Sequence, residues 1–164
     1  MTLENTPKSV ESDGTFRLWF VPDGSNPKSA AILNGATAKS ITYSMVPGGF
    51  KRDTNEETVS DERLSLKQML ERPGSVTDSI EVQYVFGDED DVANAALAEG
   101  VEGSIVARYA VPNETDATAA QLVDIAKVRC GKQRKNQPVR NGVWVKTQKL
   151  FVIAPVEDDV ALIA

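Results

Sequence analysis

Residues 79–86 fit few structures other than a strand with one face in a core. Ile80, Val82, Tyr84 and Phe86 alternate with Glu81, Gln83 and Val85, and a period of two marks a half-buried strand. Gly87 follows, then Asp88, Glu89, Asp90 and Asp91, then an apolar stripe of Val92, Ala93, Ala96 and Leu97, then Gly100. Carboxylates suit the first turn of a helix and glycine suits its exit, so a short helix is expected. Ile105, Ala107, Tyr109 and Val111 restart the alternation. The unit is strand, helix, strand, and it presents an acidic end.

The rest of the chain reads as strands. Residues 15–21 form an expected first strand, aromatic on both faces, followed by a turn at 22–27. Residues 39–46 alternate Ile41, Tyr43 and Met45 against Ser40, Thr42 and Ser44. Pro47-Gly48-Gly49 is expected to break that strand, and Pro73-Gly74 to close a later one. Between them, 50–60 and 63–70 (the latter with Leu64, Leu66 and Leu70) read as extended partners, the first hydrated on both faces. Residues 122–130 form a strand with Ala126, Val128 and Cys130 inward and Lys127 and Arg129 outward. A basic loop spans 131–140. Asn141-Gly142 is a hairpin signal, and 143–154 is the last strand, with Trp144 expected in the core or at an interface. The expected organisation is an arm at 1–14 that orders on docking, one β domain over 15–154, and an acidic-then-apolar tail at 155–164.

Composition narrows the function. The 164 residues are 41% hydrophobic, enough for one domain with a sizeable core. No apolar run reaches the length of a membrane span and no apolar signal segment opens the chain, so a soluble, cytoplasmically made product is expected. There is no histidine and one cysteine, Cys130. That removes Ser-His-Asp and Cys-His catalysis, His-ligated zinc, sulfur-rich metal sites and an internal disulfide. Charge is uneven. Residues 121–150 hold eight Lys/Arg (Lys127, Arg129, Lys132, Arg134, Lys135, Arg140, Lys146, Lys149) against Asp124, a net of +7, so the remainder carries −13 of the total −6. Such asymmetry points to a polyanion or to subunits that meet acid to base.

The motifs carry no chemistry of their own. The run Asp88, Glu89, Asp90, Asp91 lacks the spacing and turn glycine of a calcium loop and reads as a cap. Gly100 with Gly103, and Gly48 with Gly49, match neither a P-loop nor a dinucleotide pattern. Glu56 and Glu57 are adjacent, so on a strand they point apart. The basic stretch 127–149 supports an alternative reading as a β-rich nucleic-acid-binding module, though it lacks interleaved aromatics for base stacking. A carbohydrate-binding sandwich would want an exposed aromatic platform, and the chain is 6% aromatic. No catalytic, cofactor or metal residue is expected.

One ordered pattern remains: Asn34-Gly35-Ala36, Ile41-Thr42-Tyr43, Asp61-Glu62-Arg63-Leu64, Pro73-Gly74, the 80–86 strand with its short helix, Gly100, Gly103, residues 105–109, residues 123–128 and a late hairpin. It resembles the major tail tube proteins of phages with long, flexible, non-contractile tails, especially phages of actinobacteria. The resemblance implies a mainly β sandwich or barrel with one short flanking α-helix and a long polar β-hairpin. It implies homohexameric rings stacked into a tube in the virion, a conduit for double-stranded DNA that is not read by sequence. The implied partners are further copies, a tape measure protein, and tail terminator and distal tail proteins, without catalysis, cofactor or membrane insertion. Under this resemblance Thr54, Glu56, Thr58, Ser60, Ser65 and Glu81 are expected to line the channel. The two charge extremes, Asp88, Glu89, Asp90 and Asp91 with Lys132, Arg134, Lys135 and Arg140, are expected to meet between subunits.

Overall fold

The computed structural model describes residues 5–65 and 67–164. Among them one antiparallel sheet holds nine strands: β1 (Phe16–Pro22), β2 (Lys39–Ser40), β3 (Met45–Asp61), β4 (Leu70–Val85), β5 (Glu102–Tyr109), β6 (Leu122–Cys130), β7 (Arg134–Lys135), β8 (Val145–Val152) and β9 (Glu157–Ala161). The path is β2-β1-β5-β6-β8-β4-β3, with β7 added to β8 and β9 to β6. Two short helices, α1 (Ala30–Asn34) and α2 (Val92–Ala96), flank it. The protein is mainly β, as expected, with one helix more than the sequence announced.

The sheet curls around its main core. Leu18 and Phe20 of β1, Ile80, Val82 and Tyr84 of β4, Ile105 and Ala107 of β5, Ala126, Val128 and Cys130 of β6, and Leu150 of β8 form one buried cluster. Phe16 and Phe50, from distant strands of the path, approach to 5.8 Å between ring centroids. Ala93 and Leu97 of the α2 segment close one end of this barrel-like core. There the buried Gln148 amide donates to the Leu97 and Gly131 carbonyls at 2.8 Å each, and its oxygen accepts from the Tyr84 hydroxyl at 3.0 Å. A smaller cluster on the opposite face joins Trp19, Val21, Val106, Val123, Ile125 and Leu162 beneath α1. Both faces of β1 and β5 are therefore covered, which is why β1 is aromatic on both sides.

The alternation at 80–84 holds, with Ile80, Val82 and Tyr84 buried and Glu81 and Gln83 half-buried. Several expectations do not. Residues 39–46 are not a continuous strand: β2 is two residues long and a 3-10 turn occupies Thr42–Ser44. The Thr42 hydroxyl accepts from the Leu18 amide at 2.8 Å, so a side chain takes a ladder position and the strand stops. Pro47-Gly48-Gly49 and Pro73-Gly74 do not end strands; they lie inside β3 and β4, at the register irregularities between Met45 and Phe50 and between Glu56 and Thr58. Bulges tolerate a proline that cannot donate. They also bring backbones too close for side chains: a Cβ on Gly49 would meet the Gln83 carbonyl oxygen at 2.5 Å, and one on Gly74 the Glu57 carbonyl oxygen at 2.8 Å.

Residues 63–65 and 67–69 lie in the turn of the β3–β4 hairpin rather than in a strand, and Leu70 begins β4. Leu64 is 98% exposed and does not pack on the body, and Leu66 lies outside the described residues. Trp144 is 55% exposed rather than core; it precedes β8, which starts at Val145, and sits 6.4 Å from Phe86. The Asn141-Gly142 turn lies within the long β7–β8 loop, with the Gly142 amide donating to the Val139 carbonyl. Residues 155–164 hold β9, which pairs with β6 and places Leu162 in the smaller cluster.

Candidate assembly surfaces

The β3–β4 hairpin is the most prominent surface element. Paired residues share a face, so Phe50, Arg52 and Thr54 lie with Val82, Ile80 and Asp78, while Lys51 and Asp53 lie with Glu81 and Ser79. The first face enters the core at Phe50 and leaves it beyond Arg52; residues 53–60 are exposed on both sides. The alternation puts Thr54, Glu56, Thr58 and Ser60 on one face and Glu81 on the other. Ser65 sits at the tip with φ +70°. Thr54 donates to Asp78 at 2.6 Å, and Ser75 donates to Glu57 at 2.8 Å.

Arg52 anchors the base of this hairpin, a role the sequence reading missed. Its guanidinium donates to Asp158 of β9 at 2.7 and 3.3 Å and to Asp124 of β6 at 3.3 Å, with Asp78 at 3.6 Å. The hydrogen bond from Arg52 holds the Asp158 carboxyl below its usual range, and the bond to Asp158 raises the Arg52 pKa. The available signal was Asp124, the lone acid in the basic stretch. Arg108 is a second surprise. It is fully buried on the smaller-cluster face, donating to Gln121 and to the Pro112 and Thr115 carbonyls, with the Trp19 ring 5.3 Å away. Desolvation there lowers its pKa.

The acidic run does not cap α2 with a side chain. The Asp91 carboxylate turns back to accept from the Gly87 and Asp88 amides at 2.7 and 3.2 Å, and Asp88 accepts from the Glu89 amide at 2.7 Å. A tight turn thus consumes two of the four carboxylates. Asp88, Glu89 and Asp90 are exposed.

The basic loop lies beside this turn on the same subunit. Gln133 donates to the Asn94 and Leu97 carbonyls at 3.0 and 3.1 Å, and Lys146 donates to the Asn94 side chain at 2.6 Å. Lys146 and Lys135 stand 4.8 and 5.9 Å from the Phe86 ring centroid. Lys132, Arg134, Lys135 and Arg140 are exposed, and none forms an ion pair among the described residues. The basic stretch is not one stripe. Lys127, Arg129 and Lys149 share the face of Glu81, whereas Lys146 shares the face of Tyr84.

Among the described residues no group of three or more Asp, Glu or Cys is placed to hold a metal ion. Burial pushes the Cys130 thiol up to about 11, which leaves it a core residue rather than a nucleophile. No described helix is long and apolar enough to cross a membrane.

A curled β domain that ends in a long hydrated hairpin, with separate acidic and basic surfaces, has the form of a structural building block. The family described as phage tail tube protein matches this chain over residues 3–164. The chain belongs to that family and is a structural protein of a phage tail. Among solved structures, a chain of the cryo-EM structure of the anti-feeding prophage (AFP) baseplate, 6-fold symmetrised, is similar in fold. The TM-score is 0.59 at 10% identity, over 94% of this chain and 96% of that one. No curated protein sequence matches it.

Proposed function

We propose that six copies of this chain close into a ring, and that such rings stack into the tail tube through which double-stranded DNA leaves the virion. The observation that carries this reading is the β3–β4 hairpin. β3 is 17 residues long and ends the sheet path, so its outer edge has no partner among the described residues. Open edges invite strands from another chain, and closure of a ring removes them. Membership of the tail tube family supports the tube, and the sixfold assembly of the similar solved chain supports the ring number.

In this reading Thr54, Glu56, Thr58 and Ser60, with Ser65 at the tip, face the channel. Glu81, on the other face and in the three-stranded part of the sheet between Lys51 and Lys149, joins them in the lining. A polar, acid-containing wall repels phosphate weakly and lets DNA slide, whereas a basic wall would hold it. The acidic turn and the basic loop occupy the same end of the subunit, so copies side by side in a ring bring one subunit's Asp88, Glu89 and Asp90 to its neighbour's Lys132, Arg134 and Lys135. A tape measure protein inside the growing tube, and terminator and distal tail proteins at its ends, complete the set of partners. The arm at residues 5–14 orders on docking, residues 1–4 lying outside the described residues.

Negative-stain microscopy of the purified protein tests the reading. Rings or tubes are expected. A protein that stays monomeric by light scattering at high concentration, with neither form visible, would sink it. Cysteines placed at Glu56 and at Glu81 should react slowly with a bulky thiol reagent in finished tubes and quickly in free subunits.

A further inference from the structure

We propose that Asn141 is a site of spontaneous deamidation, where the side-chain amide becomes a carboxylate, and that the fold protects Asn34, which heads the same dipeptide.

The chain holds two Asn-Gly pairs, Asn34-Gly35 and Asn141-Gly142. A following glycine leaves the next backbone nitrogen unshielded by a side chain, and asparagine is among the thermolabile residues. The reaction needs only water. The Gly142 nitrogen attacks Cγ of Asn141. The N–Cγ bond forms, the Cγ–Nδ2 bond breaks, and Nδ2 departs as ammonia with the proton that the Gly142 nitrogen gives up. Water then opens the cyclic imide at one of its two carbonyls. One opening leaves aspartate; the other leaves isoaspartate, with the backbone routed through the side chain. Nothing is oxidised or reduced.

Exposure does not separate the two pairs, since Asn34 and Asn141 are both exposed. The hold on each side chain does. Asn34 Nδ2 donates to the Ala117 carbonyl at 2.8 Å, and its Oδ1 accepts from the Ala117 amide at 2.8 Å. Ala117 is itself buried in the smaller cluster. For Cγ of Asn34 to swing onto the Gly35 nitrogen both bonds must break, and unpaired polar groups beside a core are costly.

Asn141 has no such hold. The side-chain hydrogen bonds of residues 132–147 start from Gln133, Lys146 and Thr147, and none reaches Asn141. Residues 137–144 are exposed throughout. Asn141 sits at φ +59°, a region asparagine enters more readily than most residues. The Gly142 amide donates to the Val139 carbonyl at 3.0 Å, and that bond must open before the nitrogen attacks. An exposed turn held by one bond opens at low cost. The Gly35 amide is bonded too, to the Ile32 carbonyl at 3.1 Å, so the side-chain lock is the difference between the pairs.

The product changes the basic loop. Residues 131–144 carry Lys132, Arg134, Lys135 and Arg140 and no acid. A carboxylate at position 141 takes their sum from +4 to +3, next to Arg140. In the ring reading this loop meets the neighbour's acidic turn, so conversion in a free subunit weakens the contact it is waiting to make. That consequence rests on the ring reading; the chemistry does not.

The folded protein, incubated in mildly alkaline buffer, digested at acidic pH and read by mass spectrometry, tests the site. The Asn141 peptide should gain one mass unit at least tenfold faster than the Asn34 peptide. In urea the two should convert at similar rates, because the Ala117 lock is gone. Equal rates in the folded protein, or an Asn34 still protected in urea, would overturn the proposal, as would an Asn141 that stays intact in the fold while it converts in urea. Asn141→Asp, standing in for the aspartate product, should slow ring formation several-fold in dilute salt and little in concentrated salt. Unchanged ring formation would overturn the consequence and leave the site. A parent protein that forms no rings would sink the ring reading, and the consequence with it, while the mass gain still decides the site.

Discussion

At the scale of single residues the β4 face is the most tightly specified part of the molecule. Val82 is fully buried, so Val82→Ala should cost about 1–3 kcal/mol from lost transfer energy and a residual cavity. Urea denaturation of the free subunit checks this; an unmoved midpoint would contradict the register. The buried face of 80–84 was legible because burial acts on every second side chain. Trp144 was not, because a large apolar residue carries the same pattern whether its partner is its own core or another molecule. The hub at Arg52 was hidden for a different reason. Its carboxylates come from residues 78, 124 and 158, and no local spacing records such a meeting.

At the scale of elements the two ribbon bulges explain the main misreading. Proline and glycine pairs ordinarily end strands, yet β3 and β4 run through both pairs because a bulge absorbs the missing donor. The hydrated strand at 50–60 was readable from its polar alternation; its turn was misplaced because Leu64 and Leu70 mimic a buried face. The clamp between this ribbon and β9 should respond to pH. Asp158 has a lowered pKa in the folded protein, so its contribution is present above the unfolded value of about 3.9 and is lost as pH falls through the folded value. Asp158→Asn should therefore lower the thermal midpoint at pH 7 by more than it does at pH 3. Equal effects at both pH values would show that the charge of Asp158 is not what holds β9.

At the scale of the whole molecule the proposed association turns on the charge pattern. Exposed ion pairs contribute about 0–1 kcal/mol each, but a closed ring repeats them. They steer encounter and orientation more than they deepen affinity. Reversing Arg134 and Lys135 to Glu should impair ring formation, and adding Glu89→Lys and Asp90→Lys should partly restore it. Assembly followed by light scattering should weaken as salt shortens the screening length below about 8 Å. If the first reversal assembles normally, the loop is merely hydrated. The overall architecture was legible because strand periodicity and order survive in the sequence; the placement of acid and base at one end was not, since it depends on which strand ends adjoin.

The open edge of β3 has one more consequence, for the subunit before it meets its neighbours. Unpaired backbone along a long strand is a template for amyloid-like stacking. Here the strand carries Asp53, Glu56, Glu57 and Asp61 with only Lys51 and Arg52 to offset them. A second β3 laid against it in the wrong setting would meet like charge with no apolar gain. The edge is thereby kept from indiscriminate self-adhesion before the right surface arrives.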